Sequence, residues 1–247
     1  MSGHSHYATI KRQKGLKDAA KGKIFSKMAR AIQISVKTGG SPDPNANAKL
    51  RDAIDTARSY NMPKDNIERA ISKGVGEGSN LEEVTYEGFG PNGIAVIIET
   101  ATDNRNRTGQ EIKNLFERGG GSLAGPGSVV FNFEPKGLVV VKKEDNPEEQ
   151  MLALIDAGVE DIEETDGDIE AYVQVDKLGA TRDKLQEAGI TISSFEIIKK
   201  PKNFQVVDEE TLAKKVLAFL DNLENQSDVL KVYANINIPD EILQKIT

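Results

Sequence analysis

GLVVVKKEDNPEEQMLALIDAGVEDIEETDGDIEAYVQVDKLGATRDKLQEAGITISSFEII, residues 137–198, alternates between strand-like and helix-like spacing of its apolar residues. Its apolar period changes four times. A strand from Gly137 to Lys142 is followed by a helix from Pro147 to Ala157 and a strand from Val159 to Glu163. After the Asp166-Gly167 turn come a strand from Ile169 to Val175, a helix from Lys177 to Ala188 and a strand from Ile190 to Ile198. That is the βαββαβ order of a ferredoxin-like unit. Gly158 and Gly189 stand where the two helices should end, because glycine takes the left-handed C-cap at little cost.

Working outward, Val84 to Phe89 and Ile94 to Thr100 flank Gly90-Pro91-Asn92-Gly93, a hairpin signal. Thr102 or Asp103 should cap a helix carrying Ile112, Leu115 and Phe116, and a further strand is expected from Val129 to Phe133. Three strands and one helix close poorly alone. A helix capped by Asp208, with Leu212, Val216, Phe219, Leu220 and Leu223, and a last strand near Val229 to Ile236 would complete four strands and two helices. The expected architecture is therefore multidomain α+β. An N-terminal helical domain (1–78) precedes a middle α+β domain (81–134 plus 204–247), into which a third, acidic βαββαβ domain (135–203) is inserted. Three domains in simple succession are the alternative.

The N-terminal region is set apart by charge. Residues 1–40 hold nine Lys/Arg and one acid, Asp18; residues 1–73 hold fifteen Lys/Arg against six acids, a net of +9. The whole chain is at −7, so the remainder carries −16. A chain so divided points to a polyanionic partner at its basic end. From Lys21 to Lys37 the sequence reads as an amphipathic helix. Phe25, Met28, Ile32 and Val36 form the packing stripe. Lys23, Lys27, Arg30 and Lys37 fall on the opposite face, within about 80° of one another. Such a row neutralises phosphates without itself reading sequence. Ile34 falls among these cations and is expected to meet a partner.

Gly39-Gly40 should stop this helix, and Asp43, with Pro44 following, should cap a second one through Leu50, Ile54 and Ala57. Asn61 is a left-handed terminator, and Pro63 opens a third helix with Ile67, Ala70 and Ile71, closed by Gly74. The pair allows a helix-turn-helix-like reading in which Lys64, Asn66 and Arg69 meet nucleic acid; an ordinary three-helix bundle accounts for the same pattern equally well.

Enzymatic chemistry finds little support. There are no cysteines, which excludes disulfides, thiolate metal sites and Cys nucleophiles and fits a reducing cytosol. The glycine-rich run 119–127 follows a helix and precedes a strand, the reverse of a dinucleotide-binding turn, and reads as a mobile loop. Gly22-Lys23 lacks the remainder of a phosphate-binding loop. His4 and His6, the only histidines, make a poor metal site with two ligands, so no metal and no cofactor is expected. Residues 144–170 contain twelve Asp/Glu and no Lys/Arg. They read as a solvated acidic lobe that repels phosphates and suits a protein partner. Arg105 and Arg107, at a helix N-terminus that favours anions, are candidates for an anion or interdomain carboxylate contact. No apolar run approaches the roughly 20 residues that span a bilayer, and no signal peptide is evident, so a cytoplasmic protein without a membrane partner is expected.

Several ordered motifs resemble the YebC family: Met1-Ser2-Gly3-His4-Ser5, Ala8-Thr9-Ile10-Lys11, Gly22-Lys23-Ile24-Phe25-Ser26-Lys27, Asn61-Met62-Pro63-Lys64-Asp65-Asn66-Ile67, Tyr86-Glu87-Gly88-Phe89-Gly90-Pro91 and Thr102-Asp103-Asn104-Arg105-Asn106-Arg107-Thr108. The resemblance covers essentially the whole chain. It implies three domains and a probable DNA-binding transcriptional regulator. A related mitochondrial branch looks like translational activators of cytochrome c oxidase subunit I, and bacterial relatives are linked to the ribosome. Many members carry Lys and Trp where this chain has His6 and Tyr7, and Glu where it has Ala31. The absence of a presequence before Met1 makes the bacterial cytosolic type the closer comparison.

The expected function is thus a non-enzymatic, nucleic-acid-binding regulator of gene expression. A ribosome- or RNA-associated translation factor is the alternative, with ribosomal or transfer RNA in place of DNA. The candidate contacts are His4, Tyr7, Lys11, Arg12, Lys14, Lys17, Lys21, Lys23, Lys27, Arg30, Lys64 and Arg69; the Tyr7 ring could stack on a base, although a lone Tyr more often packs on its own domain.

Overall fold

The computed structural model describes residues 18–76, 80–144, 146–164 and 167–246. They fall into two compact units. Residues 134–200 form one, and the described residues on either side of them form the other.

The larger unit begins with three helices: α1 (Asp18–Gly39), α2 (Ala48–Ser59) and α3 (Lys64–Val75). Phe25, Met28, Ile32 and Val36 of α1 meet Leu50, Ile54 and Ala57 of α2 and Ile67 and Ala70 of α3, as the helical periodicity predicts. The cap of α2 differs from expectation. Asn47, not Asp43, closes its N-terminus. The Asn47 side chain accepts from Leu50 N at 3.0 Å, and its amide donates to the Ser35 and Ser41 carbonyls. One buried amide so ties the end of α1 to the start of α2, while Asp43 serves only the turn before it. Asn61 does take the left-handed conformation, at φ 59°. Gly74 lies inside α3 rather than ending it. A Cβ there would stand 2.8 Å from Val36 Cβ and 2.9 Å from the Gln33 carbonyl, so α3 approaches α1 closely enough to need glycine.

The same unit continues as a four-stranded sheet in the order β3-β1-β2-β9. Its strands are β1 (Glu82–Phe89), β2 (Ala95–Thr102), β3 (Ser122–Ala124) and β9 (Val229–Ala234). Asn92 and Gly93 supply positive φ in the β1–β2 connection. Helices α4 (Arg105–Gly119) and α7 (Glu210–Asn225) cover one face, where Phe116 meets Phe219 edge-on with centroids 5.3 Å apart. These helices too start later than expected: Asn104 accepts from Arg107 N, and α7 starts after Glu209, which makes no side-chain capping bond. The expected strand at 129–133 is instead a 3-10 turn, Val130–Asn132. Its entry is held by Glu87, whose buried carboxylate accepts the amides of Gly127, Val129 and Val130 at 2.7–3.0 Å. A short parallel pair, β8 (Gln205–Val206) with β10 (Ile236–Asn237), and a terminal helix α8 (Asp240–Ile246) complete the unit.

Residues 134–200 supply β4 (Phe133–Lys142), α5 (Pro147–Asp156), β5 (Asp161–Glu164), β6 (Asp168–Val173), α6 (Leu178–Glu187) and β7 (Ile192–Pro201). The sheet order β5-β6-β4-β7 is that of a ferredoxin-like unit, as its element order predicts. Val139, Val141, Leu154, Ala171, Val173 and Leu185 form its core beneath the helices. Tyr172 is buried under the Lys200 ammonium, 3.5 Å from the ring centroid, and its hydroxyl lies between Glu163 and Glu170. Burial, and then the two carboxylates, push that phenol far above its ordinary range.

Candidate nucleic-acid interface

Helix α1 carries the candidate cations because a 3.6-residue period separates them from the packing stripe. The structure corrects one expectation about that second face. It is only partly solvated: Lys27 and Arg30 are half-buried, while Lys23 and Lys37 stay exposed. Ile34 is buried with Leu81, Ala101 and Leu230. Around it the cations close on the sheet module. Arg30 donates to the Ala101 carbonyl at 3.0 Å and forms an ion pair with Asp228. Lys37 donates to the Leu81 carbonyl at 2.9 Å. Lys27 donates to the Glu224 carbonyl, and Lys23 reaches Asn225 Oδ1 at 3.4 Å. Glu224 and Asn225 end α7, where the helix dipole favours cations. The physical reason is Ile34: an aliphatic among lysines turns the face inward, and the lysine and arginine stems snorkel around it.

Asp228 is the centre of this contact. Only 1% of its side chain is exposed. Arg107 Nη2 reaches Oδ2 at 2.7 Å, Thr108 donates to Oδ2 at 2.5 Å, and Thr102 lies at 3.3 Å. Burial alone would raise this carboxyl. The Thr108 and Arg107 hydrogen bonds and the charges of Arg30 and Arg107 outweigh it and hold the group down at about 2. Arg107, a candidate for a carboxylate contact, therefore finds one inside its own unit, and also pairs with Asp103. Arg105 remains on the surface, its carbonyl accepting from the Tyr86 hydroxyl at 3.2 Å.

The remaining candidates separate into two groups. His4, Tyr7, Lys11, Arg12, Lys14 and Lys17 lie outside the described residues, as does His6. Lys21 belongs to α1. Lys23, Lys64 and Arg69 are exposed. Lys64 pairs loosely with Glu68, and Arg69 binds Asn66 and the Asp65 carbonyl. Lys49, Arg51, Arg58 and Lys73 are exposed on α2 and α3 as well, and were not singled out from the sequence. Their signal was present only as a spacing of cations along otherwise polar helix faces. Pro44, Ile54, Met62, Ile67 and Ile71 line a groove of about 290 Å³ between α2 and α3, together with Arg58, Lys64 and Glu68. Among the described residues, no group of three or more His, Asp or Glu side chains could hold a metal ion. No helix among them is long and apolar enough to cross a membrane.

These features define a class: an α+β protein with a basic helical N-terminal region joined to acidic sheet modules. Two family models match the chain. The TACO1/YebC protein N-terminal domain matches residues 5–77, and the TACO1/YebC second and third domain matches residues 81–236. The chain belongs to the TACO1/YebC family. A probable transcriptional regulatory protein of Dictyoglomus turgidum is 45% identical, with 100% of each chain covered. One of Methylacidiphilum infernorum is 47% identical, with 99% of each covered. The crystal structure of a conserved hypothetical protein from Aquifex aeolicus superposes with a TM-score of 0.87 at 41% identity, covering 97% of this chain and 100% of that one.

Proposed function

We propose that this chain is a non-enzymatic, cytoplasmic regulator of gene expression that binds nucleic acid through residues 1–78. The observation that carries the reading is the segregation of charge, +9 over residues 1–73 against −16 over the rest. Free association with a polyanion draws on such a region, and the acidic modules keep the bound strand on it. The relatives' description as probable transcriptional regulatory proteins supports DNA as the target. The contacting cations are Lys23, Lys64 and Arg69, joined by Lys49, Arg51, Arg58 and Lys73 and by the leader residues Lys11, Arg12, Lys14 and Lys17. Lys27 and Arg30 act chiefly by seating α1 on the sheet module.

One observation favours RNA. The exposed face of α3 sets Asp65 and Glu68 beside Lys64 and Arg69. Carboxylates there would face phosphates in a major groove, whereas a base unstacked from a loop suits the largely apolar groove lined also by Arg58 and Lys64. Crosslinking the tagged protein in cells and sequencing both recovered DNA and RNA separates the two. Reproducible intergenic DNA peaks support transcriptional control. Dominant ribosomal or transfer RNA supports a translation factor. Recovery of neither above an untagged control would remove the nucleic-acid reading altogether.

A further inference from the structure

Residues 134–200 carry seventeen acids and eight Lys/Arg, and the outward face of α5 combines this charge with exposed aliphatic surface. Leu152 is 63% exposed and Ile155 57%. Three residues apart, they share one side of the helix. At ~100° per residue Glu148 lies between them in angle and Glu149 and Asp156 lie beside Leu152, all three exposed. The other side of α5 is fully committed. Leu154 and Ala157 sit in the core, and Met151 packs against it. Gln150 is buried, its amide donating to the Lys142 carbonyl at 2.6 Å and its carbonyl accepting from Glu144 N at 3.2 Å. Asn146 caps the first turn. The helix therefore cannot rotate Leu152 and Ile155 inward without losing Leu154 and Gln150. Two large aliphatics are held in water on a rigid, well-anchored surface.

We propose that this α5 face is a docking site for a basic protein, and that its occupant is a Lys/Arg-rich amphipathic segment. Leu152 and Ile155 would receive an apolar side chain. Glu148, Glu149 and Asp156 would receive the flanking cations. Charge complementarity makes the choice. Nucleic acid and anionic lipid are repelled by a stretch with twelve carboxylates and no base over residues 144–170. A neutral apolar partner would leave those carboxylates desolvated and unpaired. A basic amphipathic segment satisfies both parts at once, with the aliphatic pair as the anchor and the acids as the polar rim. Proteins that themselves sit on nucleic acid have this composition, since phosphate neutralisation requires it.

The test uses the isotopically labelled full chain and three synthetic peptides: an amphipathic helix of Lys and Leu, its Glu-for-Lys counterpart, and a scrambled Lys/Leu peptide without an apolar face. The first should bind and shift the backbone amides of residues 146–157. The other two should bind at least tenfold more weakly. Leu152→Ser with Ile155→Ser should lose at least tenfold in affinity, and so should Glu148→Gln with Glu149→Gln and Asp156→Asn. Both sets are solvent-facing, and unchanged amide spectra elsewhere would show that they fold. Equal binding by wild type and both variants would overturn the proposal, as would shifts centred away from α5. A duplex or single-stranded oligonucleotide that shifts the same amides would overturn it in favour of nucleic acid. Loss of a concentration-dependent dimer in the Leu152→Ser variant would overturn it in favour of a second copy. Displacement of α5 amide signals on deleting residues 1–17 would assign the face to this chain's own basic leader.

Discussion

Arg107 and Asp228 lie 2.7 Å apart, nitrogen to oxygen, on the first turn of α4 and in the turn between α7 and β9. The other oxygen of the same carboxylate takes Arg30 from α1. One buried acid thus neutralises two arginines from distant parts of the chain, and through Arg30 it seats the helical region on the sheet module. Replacing it with alanine leaves both guanidinium groups facing a buried gap. We expect Asp228→Ala to destabilise the larger unit by about 3 kcal/mol, near the lower end for breaking a buried pair because both arginines are partly exposed. Hydrogen exchange should rise first along the Arg30–Lys37 segment of α1. Unchanged exchange there would mean that the carboxylate does not hold α1 in place.

The same residue makes stability depend on acid. Its folded value of about 2 lies below the ordinary 3.8, so its contribution is complete above pH 4 and disappears as pH falls through 2. That difference corresponds to about 2 kcal/mol. Other carboxylates titrate in this range too, so the comparison is between wild type and Asp228→Asn. The difference between their urea midpoints should be largest at pH 5 and shrink towards pH 2. A difference that stays constant over that range would contradict the assignment.

Glu87 should control the 3-10 turn at Val130–Asn132. Burial would raise its carboxyl, but three backbone amides more than offset this and lower it. In Glu87→Gln one of the two oxygens becomes a donor facing amide donors. The expected loss is about 1–3 kcal/mol. The readout is local: the amides of Gly127, Val129 and Val130 should lose exchange protection while β2 keeps its own.

Gly74→Ala distinguishes packing from propensity. Alanine is favoured over glycine in a helix by about 1 kcal/mol. Here its Cβ would meet Val36 and the Gln33 carbonyl under 3 Å. Overpacking of this kind costs about 1–3 kcal/mol, so the variant should melt below wild type. A variant that melts higher would show that α3 and α1 can separate freely.

Much of this arrangement was legible in the sequence, for identifiable reasons. Period-2 and period-3.6 patterns located the main strands and helices, and the βαββαβ order predicted the sheet order of residues 134–200. Local turn chemistry found Asn61 and the Asn92-Gly93 connection. What failed was of another kind. Periodicity shows that α1 has two faces but not which one meets water. Ile34 was the available sign that the cationic face is covered. Asp228 follows a helix in an unremarkable polar run, and only the fold brings Arg30 and Arg107 to it. Asn47 displaced Asp43 as a cap because its amide also reaches back to α1, a tertiary bond that no local rule contains. The short β3, β8 and β10 and the terminal α8 carry too few residues to show a period.

Exposed cations of the helical region should bind nucleic acid. This is tested most directly by fluorescence anisotropy of labelled duplex DNA and single-stranded RNA, titrated with wild type and with Lys23→Glu/Lys64→Glu/Arg69→Glu across a salt series. All three side chains are exposed, so the variant should fold, which amide spectra would verify. Binding should weaken steeply with salt, and the variant should lose at least tenfold in affinity with a salt slope shallower by about 2–3. Equal affinity and equal slope for the folded variant on both nucleic acids would contradict this.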